Sequence, residues 1–338
     1  MKDLIPTNNL DDSLNSFAGK KVIITGAAGF IGTNLTKELL KAGATVIGID
    51  NFISSSGKNL GINEGTEGFT FIKADVIQPP KSYLPEEDWQ FDYLFHFASP
   101  ASPPIYQKYP VETYLVNSLG THNLLSFLRQ YSPEATFVYA GTSEAYGNPL
   151  EHPQKETYWG NVNPNGVRSC YDESKRLGET IGGVFNRDFG IDVRILRIFN
   201  TYGPYMNLED GRVLPEFIKQ YQAGKELVVF GDGSQTRSYC YIDDLVRGIL
   251  LLAGGKKSEL SGETINLGNP GEYTVLETAR IFNRIVGRDE EMIAFEELPS
   301  DDPLKRQPDI SKARGLLGWE PEVEFEDGLK RMLEFFKG

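Results

Sequence analysis

The sequence predicts an α/β protein, a doubly wound parallel sheet that carries a smaller C-terminal α/β lobe. Short apolar runs alternate with helical patterns from Lys20 onward, as parallel strands joined by right-handed crossovers require. A glycine-rich turn stands between the first run and the first helix. The length of 338 residues exceeds what one core usually holds, so a second lobe or cap is expected.

Residues 1–19 read as a polar tail. KKVIIT then forms a short buried strand, followed by the glycine turn and an amphipathic helix from about Ile31 to Ala42. TVIGID is the second strand, and further strands are expected at FTFIKAD, DYLFHFA, TFVYAGT and DVRILRIF. Segments 53–68 and 77–91, rich in Ser, Gly, Pro and Glu, read as surface loops. Residues 20–199 thus form the first domain. Beyond Asn200 shorter elements are separated by TYGPYM, FGDGSQTR and LGNPGEY, and residues 200–338 read mainly as a substrate-binding lobe. The helix starting at Asp243 is expected to return to the first domain, within a stretch of about 232–255.

In the turn Gly26-Ala27-Ala28-Gly29-Phe30-Ile31-Gly32, three glycines are spaced GxxGxxG after a strand and before a helix. That arrangement brings backbone close to a pyrophosphate and points the helix N-terminus at its charge. Alone it could be a structural turn. Asp50, at the end of the second strand and 18 residues past Gly32, suits the ribose hydroxyls and repels a 2′-phosphate, so the predicted domain is Rossmann-type and the cofactor NAD rather than NADP. The alternative for Asp50 is a turn cap with Asn51. We also assign Asn51, Asp75, Val76 and Ala98 to the cofactor.

Tyr171 and Lys175 stand four residues apart in Ser-Cys-Tyr-Asp-Glu-Ser-Lys, just ahead of a helix through Arg176 to Asn186. The spacing puts both on one face. An ammonium near a phenol favours the phenolate, which predicts a Tyr171 pKa drawn down from its ordinary value so that Tyr171 acts as a base on a sugar hydroxyl. Lys175 can also reach the nicotinamide ribose. Such a pair also occurs by chance on an exposed helix face.

With these residues the chain resembles the extended short-chain dehydrogenase/reductase family of nucleotide-sugar enzymes, from about Lys21 to Phe336. The resemblance implies a third catalytic member, Thr142 at the end of the fifth strand. Dehydratases of deoxythymidine-diphosphate-glucose carry Asp-Glu after that Thr, where this chain has Ser143-Glu144. Thr-Ser-Glu is shared by UDP-glucuronate decarboxylases and GDP-mannose 4,6-dehydratases. ASPASPP from Ala98, HPQKETYWGNVNPNGVRSCYDESKR from His152, RIFNTYGP from Arg197, DGSQTR from Asp232, LGNP from Leu267 and DDPLKRQPDISKA from Asp301 look like the decarboxylases. The loops at 53–68 and 77–91 depart by being longer, and the membrane anchor of some eukaryotic members is absent.

The resemblance therefore implies decarboxylation of UDP-glucuronate to UDP-xylose through a 4-keto sugar, with NAD regenerated in each cycle. It places Arg306 at the substrate carboxylate and Glu144 as the catalytic glutamate, orienting or managing a proton. Ser143, Asn200, Arg212 and Arg237 are assigned to the substrate, Arg being suited to phosphate forks. A nucleotide-sugar 4,6-dehydratase or 4-epimerase is the first alternative, and a non-catalytic NAD-binding or RNA-binding relative the second.

A net charge of −13 and a pI near 4.9 argue against nucleic acid and anionic membranes, which need concentrated positive charge. Lacking a signal-like apolar start or an apolar run of spanning length, the chain is expected to be cytoplasmic and off the membrane. Two cysteines and three histidines without ligand spacing predict neither a disulfide framework nor a metal site. A homodimer is the default expectation, through helices around 110–130 and 172–186.

Overall fold

A computed structural model describes residues 14–86, 89–297 and 305–337. Its centre is a parallel seven-stranded sheet built from β1 (Lys21–Thr25), β2 (Thr45–Asp50), β3 (Phe69–Lys73), β4 (Tyr93–His96), β5 (Thr136–Thr142), β6 (Asp192–Ile198) and a late strand, Thr264–Leu267. The order across the sheet is Thr264–Leu267, β6, β5, β4, β1, β2, β3. The chain reverses its direction of growth between β1 and β4, which makes a crevice at the carboxyl ends of those strands. All seven residues of β5 are buried, as expected of a parallel strand covered on both faces.

Helix Phe30–Lys41 begins in the glycine turn, and helix Ser169–Phe189 lies over β5 and β6. Both Tyr171 and Lys175 fall inside the first two turns of that helix rather than ahead of it. Helix Ile242–Gly254 packs on Phe30–Lys41. Its C-terminal carbonyls at Leu252, Ala253 and Gly255 accept N–H bonds from buried Arg194 of β6, whose charge is paired with Asp192. This satisfies orphan carbonyls of the last turn and ties the helix to the sheet.

Two features differ from the sequence expectation. Strand Thr264–Leu267 completes the sheet beside β6, because TINL is a short apolar run whose partner lies far away in sequence. Residues 14–19 also depart from the polar tail expected over 1–19. Phe17 is fully buried with its ring 4.9 Å from that of Tyr93, so the chain is packed from Leu14 onward; residues 1–13 lie outside the described residues.

Further elements from the second half of the chain lie outside the seven-stranded sheet. Helix Val213–Gln222 and the parallel pair Leu227–Phe230 with Ile293–Glu296 stand beside an antiparallel pair, Thr236–Ser238 with Glu272–Thr274. Helix Val275–Ile285 starts with a capping box between Thr274 and Glu277, and helix Phe325–Lys337 packs against it. Among the described residues no helix is long and apolar enough to cross a membrane.

Candidate active site

The crevice is lined by strand ends, so local chain geometry decides what each residue can do. Gly26 has φ +74°, and a Cβ there would lie 2.8 Å from the backbone of Phe97 and Ala98. At Gly32 a Cβ would come within 2.1 Å of the Gly26 carbonyl oxygen. Gly26 and Gly32 are therefore fixed by strand and helix packing, whereas a Cβ on Gly29 would meet only that same oxygen at 3.2 Å and otherwise faces open space. Gly29 is the helix N-cap without a side-chain cap, and Phe30 and Ile31 begin the helix. Free N–H groups at a helix start suit a pyrophosphate.

Asp50 ends β2 beside this turn. One carboxylate oxygen accepts from Ala28 N at 3.1 Å and the other from Phe52 N at 2.8 Å. Burial raises its carboxyl above the ordinary range, and the N–H bonds oppose this. Asn51 donates to Asp75 at 3.1 Å, and Val76 beside it is buried. Ala98 N donates to Thr25 Oγ1. The turn, Asp50, Asn51, Asp75, Val76 and Ala98 thus lie on one side of the crevice, and this chemistry fits a dinucleotide.

On the other side, Thr142 ends β5 and its hydroxyl accepts from Glu144 N at 3.2 Å, while Ser143 is buried in the same turn. Tyr171 is nearly buried, with its hydroxyl hydrogen-bonded to Thr142. Lys175 donates from Nζ to the Ala140 carbonyl at 2.9 Å, with Nζ 5.8 Å from the Tyr171 ring centroid. The expectation that Lys175 draws Tyr171 downward is not met. Burial pushes Tyr171 up to about 12, against the Thr142 bond, and brings Lys175 down to about 7, against the Glu179 charge. Desolvation disfavours both charged forms and outweighs their mutual attraction at this separation.

Glu144 and Arg306 meet although 162 residues separate them. Arg306 Nη2 donates to Glu144 Oε2 at 3.1 Å. The segment carrying Arg306 is held by Gln154, which donates from its backbone N–H to the Gln307 carbonyl and accepts from Gln307 N, both at 2.9 Å. Burial raises the Glu144 carboxyl, but Arg306, Arg168 and Arg237 together bring it below the ordinary carboxylate range. Arg306 is 1% exposed, and its Nη1 has no hydrogen-bond partner among the described residues. Arg212 forms an ion pair with Asp210 and stands near enough to Tyr171 for their charges to interact. Asn200 follows β6, and its carbonyl accepts from Cys240 N.

Three neighbours escaped the sequence analysis. Tyr106 stacks on Tyr171 with ring centroids 5.1 Å apart and 6° between planes. Arg168 donates to Glu144 at 2.6 Å. Asp172, buried beside both, is pushed up to about 8 by burial and the Glu144 charge, against Arg168 and Arg306. The i,i+4 spacing of Arg168 and Asp172 around Tyr171 was a readable signal; Tyr106 offered none.

Fold and site together define an NAD-type oxidoreductase scaffold whose Tyr–Lys pair faces a carboxylate–guanidinium cluster. Residues 22–268 match the family described as the NAD dependent epimerase/dehydratase family, and the chain belongs to it. The chain is 43% identical over 318 residues to a UDP-glucuronic acid decarboxylase 1 of Xenopus tropicalis, covering 94% of this chain and 72% of that protein. A UDP-glucuronic acid decarboxylase 6 of Arabidopsis thaliana is 44% identical over 318 residues, covering 94% and 89% respectively. Among solved structures, a Bacillus cereus UDP-glucuronic acid 4-epimerase in complex with UDP-glucuronic acid and NAD superposes with a TM-score of 0.81 at 29% identity, covering 94% and 99%. An epimerase of Methanothermobacter thermautotrophicus gives a TM-score of 0.85 at 30% identity, covering 98% and 96%.

Proposed function

We propose that this chain is an NAD-dependent UDP-glucuronate decarboxylase that makes UDP-xylose through a 4-keto sugar. The observation that carries the reading is the buried Arg306, paired through Nη2 with Glu144 and with no partner for Nη1 among the described residues. A guanidinium in that state seeks a second carboxylate, and among sugar nucleotides a uronate supplies one. The curated relatives named above point the same way.

The glycine turn and Asp50 would hold NAD, which would supply the acceptor and donor of hydride. The protein's groups do the rest. Tyr171, held by Thr142, removes the proton of the sugar carbon-4 hydroxyl, and the ammonium form of Lys175 supports the charge. Once carbon 4 is a ketone, the carbon-6 carboxylate is β to it and leaves as carbon dioxide. Arg306 orients that carboxylate, and the ionised Glu144 keeps Arg306 in place. Positive groups around the cluster stabilise the enolate before carbon 5 takes a proton. Ser143, Asn200, Arg212 and Arg237 hold sugar and diphosphate, mainly from the smaller lobe.

Incubating the protein with UDP-glucuronate and NAD, and following carbon dioxide and UDP-xylose by mass spectrometry, tests the reading. Turnover to UDP-galacturonate instead would identify a 4-epimerase, the activity named for the Bacillus cereus neighbour. We further propose a cytoplasmic homodimer. Val111, Tyr114, Leu119 and Leu177 are 42–48% exposed on segments 110–120 and 169–189, and apolar exposure of that kind marks an interface. Sedimentation velocity should show a species of twice the chain mass; a monomer at micromolar concentration contradicts this.

A further inference from the structure

We propose that Arg168 is a positioning residue that fixes the Glu144 carboxylate from the protein side, so that Arg306 keeps one amino group for the substrate. This rests on the decarboxylase reading above.

Glu144 receives two guanidinium donors on one oxygen. Oε2 lies 2.6 Å from Arg168 Nη2 and 3.1 Å from Arg306 Nη2. The two arginines come from separate parts of the fold. Arg168 is the N-cap residue of helix Ser169–Phe189, so its backbone is fixed by the same turn that places Tyr171. Arg306 sits in the extended segment held by Gln154. Arg–carboxylate pairs favour a two-pronged fork, yet Arg306 reaches Glu144 through Nη2 alone and its buried Nη1 makes no hydrogen bond among the described residues. The shorter bond from Arg168 explains how this arrangement persists. With Glu144 already held from behind, Arg306 does not have to close a fork on it. Without Arg168, Glu144 would draw both amino groups of Arg306, and the donor available to a substrate carboxylate would be lost.

Arg168, Tyr171 and Asp172 face Glu144 from the start of helix Ser169–Phe189, and Tyr106 from helix Pro103–Lys108. Arg237 faces it from strand Thr236–Ser238 and Arg306 from its own segment. Removing Arg168 takes away one of the positive charges that counter the burial of the carboxylate, so Glu144 should take up a proton more readily. A residue with a merely structural role would not alter that titration.

The test uses full-length protein loaded with NAD, as wild type, Arg168→Met and Arg168→Lys. Binding of UDP-glucuronate is compared by calorimetry with binding of UDP-xylose, which has the same diphosphate and no carboxylate, with each protein also carrying Tyr171→Phe so that UDP-glucuronate is bound and not consumed. In Arg168→Met, UDP-glucuronate should bind about tenfold more weakly or worse while UDP-xylose stays within about twofold. The acidic limb of its kcat/KM profile should rise by about one pH unit. Arg168→Lys keeps the charge without the fork, so its acidic limb should stay within about half a unit of wild type while part of the discrimination is lost. Equal weakening of both ligands, or unchanged discrimination in either variant, overturns the proposal. If circular dichroism shows that Arg168→Met does not fold, the discrimination shown by Arg168→Lys decides alone. A wild-type protein that neither decarboxylates UDP-glucuronate nor prefers it to UDP-xylose overturns the underlying reading as well; a wild type that does both, with insensitive variants, overturns the positioning role only.

Discussion

Tyr171 and Asp172 are adjacent, and burial raises both, with different consequences. For Tyr171 it strengthens the preference for the neutral phenol. Tyr171→Phe should lower kcat by about 10²–10⁴-fold, the usual contribution of a general base, while NAD binding followed by fluorescence remains; unchanged turnover would remove Tyr171 from its assigned role. For Asp172, whose folded carboxyl titrates near 8 and whose ordinary value is 3.8, the effect is on stability. Below about pH 4 both folded and unfolded chains hold the proton, so nothing is lost. Between about 4 and 8 the folded state holds a proton that the unfolded state has released, and stability falls as pH rises; above 8 the full cost is present. Asp172→Asn should therefore gain stability over wild type progressively from pH 4 to 8, by about 1 kcal/mol or more at the upper end. Thermal melts across that range read this directly, and a pH-independent difference would contradict it.

Helix Ser169–Phe189 sets the catalytic geometry because it lies close on β5 and β6. The contact is made by small residues: a Cβ on Gly178 would stand 2.0 Å from the hydroxyl oxygen of buried Tyr139, and one on Gly182 would stand 3.0 Å from Val193. Gly178→Ala should push the helix off the sheet and displace Tyr171 and Lys175 together. Activity should fall by more than about tenfold, since misplacement by about 1 Å can cost as much as 10²-fold, and Tm should drop with it; full activity would show that the helix is not held at this distance. The amphipathic pattern from Arg176 to Asn186 made the helix readable in sequence, but not its first two turns. SCYDESK has no apolar period, because its buried positions include the polar Tyr171, Asp172, Ser174 and Lys175. The β1–helix–β2 unit was legible through Gly26, Gly32 and Asp50, each constrained locally. Strand Thr264–Leu267 was not, since four residues of ordinary composition gain their identity only from β6.

Across the whole molecule, the site unites strand ends of the sheet with Arg237 of the smaller lobe and Arg306 from near the C-terminus. Of its redox half, Tyr171 and Lys175 stood out by spacing, and Thr142 came only with the resemblance. Its carboxylate half depended on resemblance, because nothing local to Glu144 or Arg306 reveals that Gln154 will hold their segments together. The central claim is that one site oxidises carbon 4, releases carbon dioxide and reduces the same carbon again. Turnover of UDP-glucuronate carrying deuterium at carbon 4, with NAD and in ordinary water, tests it most directly by mass spectrometry and proton resonance of the product. The account predicts UDP-xylose that retains the deuterium at carbon 4. A product that keeps its carboxylate, or UDP-xylose whose carbon-4 label has been lost to water, would contradict it.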